Sequence, residues 1–222
     1  MRQAWLKTQR WWSRRREFSP PFDSFLDSGV PSPTDEISAI EFVSLDIETT
    51  SLDAARADML SVGWVVMRDG RVDLGSAESW IVRPSGEVGD SASVHGLTDT
   101  MVGAGLDWGT VLDKIVTALA GRVLVVHHAG LDKALLDRMC RSRFRAPLLV
   151  PVVDTLALEH RRQSQRHHLE EGGSLKLSDL RAAYGLPRYA AHDCLVDAIA
   201  TAELLLAMIA HRKARTLSDL SV

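Results

Sequence analysis

From Glu41 onward the chain alternates apolar runs with polar, glycine-containing breaks at the spacing of a folded α/β domain. Strands are predicted over 41–47, 59–67 and 71–83, and Asp69-Gly70 between the last two is a strong hairpin signal. These three consecutive strands are expected to run antiparallel. A polar stretch, 84–106, precedes a predicted helix near 107–120, where Trp108, Val111, Leu112, Ile115 and Leu119 recur at helical spacing before Gly121. Val123-Leu124-Val125-Val126 reads as a buried strand and 130–141 as a helix. Leu148 to Val153 fits a short strand leading into a helix near 154–160, and Pro151 points to a sheet edge. Residues 161–173 are polar, rich in histidine and predicted to form a loop; two helices, near 176–184 and 193–211, close the body. The pattern predicts an α/β fold with a mixed sheet, three antiparallel strands followed by parallel ones, flanked by helices.

The first 40 residues differ. Trp5, Trp11 and Trp12 stand among arginines, and Ser19-Pro20-Pro21 and Pro31-Ser32-Pro33 break any long helix, so an extended tether is expected. The chain therefore divides into a basic N-terminal extension (1–40), a body (41–212) and a short C-terminal tail (213–222). The extension is either a tail resting on the body or a docking segment for nucleic acid, an anionic surface or a protein partner, since Trp and Arg are favoured interface anchors. As an appendage, it could be deleted without loss of chemistry in the body.

Charge sharpens this division. The net charge of −3 hides six basic residues and no acid within positions 1–16, which leaves 20 basic against 29 acidic side chains elsewhere. A body this acidic is no general polyanion binder, and a nucleic acid would have to be attracted by metal ions and local basic patches. No apolar run approaches the roughly 18 residues of a membrane span, no secretory apolar segment opens the chain, and two cysteines provide neither a disulfide framework nor a Cys-x-x-Cys metal site. A soluble, cytoplasmic protein with no membrane span is expected.

The candidate chemistry starts at Asp46-Ile47-Glu48-Thr49-Thr50, the end of the first strand. Strand side chains alternate, so Asp46 and Glu48 project to the same side, where they repel unless a divalent cation lies between them. The alternative is a strand end whose acids face solvent. Asp132 follows the buried strand 123–126, at the end where α/β folds place ligand sites, although an acid there also suits a helix N-terminus. On a continuous helix His192 and Asp197 would lie about 140° apart. With Asp193 as N-cap, Asp197 sits on a rigid first turn while His192 belongs to the preceding loop and can swing toward it. That division suits a metal ligand and a mobile general base.

Taken in order, Asp46-x-Glu48, Asp132 and His192-x4-Asp197 resemble the four acids and histidine of the DEDDh 3′–5′ exonucleases. That family includes the proofreading subunit of bacterial DNA polymerase III, ribonuclease T and oligoribonuclease. The surroundings also resemble it: Val94-His95-Gly96-Leu97-Thr98, His127-x4-Asp132, Val153-Asp154-Thr155-Leu156 and Leu175-Lys176-Leu177-Ser178-Asp179-Leu180, over about 41–210. The resemblance implies a ribonuclease H-like sheet and two divalent cations, Mg²⁺ or Mn²⁺, held by Asp46, Glu48, Asp132 and Asp197. It implies His192 as general base and release of nucleoside 5′-monophosphates from the 3′ end of a single or frayed strand. Histidine ordinarily titrates near about 6.5, which suits proton transfer near neutral pH. Thr49, Thr50, Leu52, His95 and His128 would contact the terminal nucleotide, whereas His127 is expected to be structural. DNA is the expected substrate. RNA is an alternative, as is a nuclease-fold interaction protein that recruits a polymerase or other partner through residues 1–40. Three positions depart from the family pattern: His128 stands where Asn is common, Leu131 where an aromatic is usual, and Ser51 where Gly follows the two threonines.

Overall fold

A computed structural model describes residues 6, 8–10, 13, 18–83, 99–166, 173–190 and 192–221. Strands β1 (Phe42–Thr49), β2 (Met59–Arg68) and β3 (Arg71–Arg83) form the expected antiparallel meander. Asp69 and Gly70 turn between β2 and β3 with φ of 52° and 69°, the left-handed pair that a two-residue hairpin needs. Strand β4 (Leu106–Asp107) adds to β3, β5 (Val123–Val126) to β1, and β6 (Val152–Asp154) to β5, all in parallel, giving the sheet order β4-β3-β2-β1-β5-β6. β6 is an edge, as Pro151 foretold.

Helices cover both faces because the parallel steps require crossovers. In chain order they are α1 (Pro20–Asp27), α2 (Asp99–Gly103), α3 (Trp108–Ala118), α4 (Asp132–Phe144), α5 (Thr155–Arg166), α6 (Leu177–Ala183) and α7 (Cys194–Arg212). Val43, Leu45 and Ile47 of β1 join a core with Phe22 and Phe25 of α1, Leu112 and Ile115 of α3, and Leu135 and Leu136 of α4. On the opposite face Phe42, Val65 and Met67 pack with Ala202, Leu205 and Met208 of α7. By length and composition alone α7 could cross a membrane, but these three side chains are buried within the fold.

Three expectations are corrected. The stretch expected as an extended tether contains α1. Pro20 and Pro21 occupy its first turn, where no N–H is needed, and Phe22, Phe25 and Leu26 are buried. Buried Arg10 ties that helix down, with Nη1 donating to the Leu149 carbonyl at 2.8 Å and Nη2 donating to the carbonyls of Phe25 and Ser28. Truncation at residue 40 would therefore cut into the core. The loop expected over 161–173 is helical through Arg166, because its Arg and Gln residues are good helix formers and buried Glu159 pairs with Arg162 and Gln163 one turn on. The tail packs through buried Leu217 and Leu220, after a Thr216–Asp219 capping box. Two short elements, α2 and β4, went unforeseen because they lack enough residues to display a period.

Candidate active site

The site forms where the far end of β1 meets the first turns of α4 and α7. Ser44, Asp46 and Glu48 occupy alternate β1 positions and so share one face, with Val65, Gly63 and Ser61 of β2 opposite them in the ladder. The Asp193 carboxylate caps α7 by accepting from the N–H groups of Leu195 (2.9 Å) and Val196 (3.1 Å). His192 precedes the cap at φ 72°, and its backbone N–H donates to Asp197 Oδ2 at 3.0 Å. The expected division holds geometrically: Asp197 lies on the helix and His192 on the loop, its side chain exposed to a cleft of about 830 Å³.

Asp46, Glu48 and Asp197 each offer an oxygen, all within 4.8 Å of one another. Asp132, at the start of α4, is 5% exposed and lines the same cleft. Burial, followed by repulsion from Asp132, Asp197, Glu48 and Asp193, pushes the Asp46 carboxyl well above the usual carboxylate range. Burial and the nearby charges of Asp154 and Glu48 push Asp132 up to about 8, against the opposing pull of its own backbone N–H. Asp197 is also raised, by burial, despite the stabilising His192 N–H. Carboxylates crowded this way favour protons or cations. An all-oxygen donor set fits a hard divalent ion such as Mg²⁺ or Mn²⁺.

The other expected contacts divide between the cleft and its supports. Leu52, 89% exposed, and His128 line the cleft. Gly130 leaves room for the His128 ring, since a Cβ there would lie 3.1 Å from Nε2. Thr49 and Thr50 brace the adjoining loop: Thr49 Oγ1 donates to the Ser51 carbonyl at 2.8 Å, and Thr50 Oγ1 accepts from Asp58 N–H at 2.9 Å. His127 lies between Thr155 Oγ1 (2.8 Å) and the Leu175 carbonyl (2.9 Å), and burial lowers its pKa. His95 lies outside the described residues.

Sequence reasoning assigned no role to Asp154, Lys176 or Arg188. Asp154 caps α5 through the N–H groups of Leu156 and Ala157 and also accepts from Ala129 N–H at 2.9 Å, which holds the turn leading to Asp132. Its signal was present in the Val153-Asp154-Thr155-Leu156 motif. Lys176 and Arg188 add positive charge to the cleft wall, and no periodicity marks them.

A mixed sheet whose central strand ends in converging carboxylates defines a ribonuclease H-like nuclease fold. The chain belongs to the exonuclease family, whose RNase T model matches residues 43–205. It is 30% identical over 195 residues to a DNA polymerase III subunit epsilon-like protein of Rhodobacter capsulatus, an alignment covering 84% of this chain and 26% of that protein. It is 27% identical over 175 residues to the DNA polymerase III subunit epsilon of Treponema pallidum, covering 78% of each. A PolC-type DNA polymerase III of Thermotoga petrophila is 27% identical over 81% of this chain but only 13% of its own length, so the chain spans a minor part of several curated relatives. Among solved structures, E. coli exonuclease I in complex with a dT13 oligonucleotide superposes with a TM-score of 0.66 at 15% identity, over 78% of this chain and 42% of that one, a likeness of fold.

Proposed function

We propose that this chain is a metal-dependent 3′–5′ exonuclease that releases nucleoside 5′-monophosphates from single-stranded or frayed DNA. The observation that carries this reading is the convergence of Asp46, Glu48 and Asp197, with Asp132 in the same cleft, under mutual repulsion that a cation relieves. Asp46, Glu48 and Asp197 would hold one cation, and Asp132, in the same cleft, would contribute to a second, with Asp46 shared between them as the family resemblance implies. Bound cations supply positive charge against the phosphodiester transition state and make water a better nucleophile near neutral pH. His192 takes the proton from the attacking water, its loop position letting the imidazole swing while Asp197 fixes its backbone. Lys176 and Arg188 draw the phosphate backbone into an otherwise acidic cleft. Leu52 and His128 meet the terminal nucleotide, and His95 is assigned to the same contact by family resemblance. The polymerase names of the relatives and the dT13 bound to exonuclease I support DNA as substrate, and the relatives' names also support a polymerase partner.

Asp46→Ala combined with Glu48→Ala should abolish Mg²⁺- or Mn²⁺-dependent release of mononucleotides from a 3′-labelled strand. Unchanged release would sink the assignment. Single-stranded DNA, mismatched duplex and short RNA digested side by side should show DNA cleaved fastest, and faster RNA cleavage would move the substrate to RNA.

A further inference from the structure

The first turn of α7 lies so close to the sheet that β2 has no room for a side chain opposite Asp46. Gly63 is the ladder partner of Asp46 on the same face. A Cβ on Gly63 would fall 2.5 Å from Leu195 Cα and 2.6 Å from the Cys194 carbonyl carbon, with the Leu195 nitrogen nearer still. These are backbone atoms of the capped helix start, so no rotamer change relieves the contact. Two residues before Asp46, fully buried Ser44 donates its hydroxyl to the Ala198 carbonyl at 2.8 Å, one residue past Asp197. A β-branched or apolar residue would be ordinary in this strand; a buried hydroxyl aimed at a helix carbonyl ties two elements together.

We infer that Gly63 and Ser44 are positioning residues that set the separation between Asp46 and Asp197: Gly63 admits the α7 backbone to the sheet, and Ser44 holds it there. The inference rests on the proposed metal site. A methyl group at Gly63 must push the first turn of α7 outward, carrying Asp197 away from the β1 carboxylates. The effect on a metal should resemble that of other groups that orient ligands without touching the ion, about 10–100-fold in affinity.

Mn²⁺ binding to the full chain, read by electron paramagnetic resonance of the free ion, tests this without any turnover. Gly63→Ala, with near-UV circular dichroism verifying its packing, should bind Mn²⁺ about 10–100-fold more weakly. Ser44→Ala adds no bulk and should weaken binding about 2- to 10-fold, the range of one net hydrogen bond. Wild-type affinity in a folded Gly63→Ala protein overturns the inference. If Gly63→Ala does not fold, Ser44→Ala decides: wild-type affinity there also overturns it. Failure of the wild-type chain to bind Mn²⁺ instead overturns the metal site itself, and the inference with it.

Discussion

The two faces of β1 are built from alternate residues of one strand and do opposite work. Val43, Leu45 and Ile47 are at most 5% exposed and pack in an apolar core with residues of β2, α1, α3 and α4. Of the residues on the other face, Ser44 and Glu48 are buried and Asp46 is half-buried, and all three carry groups that burial penalises. One face gains free energy from leaving water; the other stores repulsion that a ligand can discharge. Stability and chemistry are thus separated by a single-residue offset, and a one-residue slip in strand register would exchange them.

That separation makes measurable claims. His192→Ala removes an exposed side chain of the cleft and should lower turnover by about 10²–10⁴-fold. Melting temperature and Mn²⁺ affinity should stay close to wild type; a parallel loss of affinity would argue against the base role. Leu45→Ala touches only the apolar side and should cost about 2–5 kcal/mol of stability. Its effect on melting should be the same with and without Mn²⁺, and a change in Mn²⁺ affinity would show that the two faces are coupled.

Smaller in size is the pH dependence of the acidic face. Asp46, Asp132 and Asp197 all hold protons more tightly folded than unfolded. Their contribution to the metal-free fold is fully present below about pH 4, the ordinary carboxylate range. It is lost as pH rises through the folded values, which for Asp132 means about 8. Cations compete with these protons, so the rise in melting temperature on adding Mn²⁺ should be small in acid and grow toward alkaline pH. At a hundredfold excess over Kd the stabilisation approaches about 2.7 kcal/mol. An equal rise in acidic and alkaline buffer would break the link between these carboxyls and the ion.

Much of the architecture was legible because its elements are long enough to show a period. The β1–β3 meander, its Asp69-Gly70 turn and α7 follow directly from alternation, turn chemistry and the Asp193 cap. The helix at Pro20 was not legible, since two prolines read as breakers unless one knows that they fall in a first turn and that Phe22 and Phe25 have a core to enter. Nor was the length of α5, where Arg161 and Arg162 look like loop until Glu159 and the Ser221 carbonyl supply their partners.

The sequence by itself determined which residues could do the chemistry. Alternation puts Asp46 beside Glu48, and an N-cap puts Asp197 on a helix with His192 before it. These are local consequences of backbone geometry, and they survive in any fold containing those elements. Only the tertiary structure decided that positions 46, 48, 132 and 197 share one cleft, that burial and like charge raise three of these carboxyls, and that a glycine in β2 leaves the space for α7 to approach. Distances between elements far apart in sequence depend on what packs between them. At Gly63 the decisive feature is the absence of a side chain, which no pattern of hydrophobic and polar positions records.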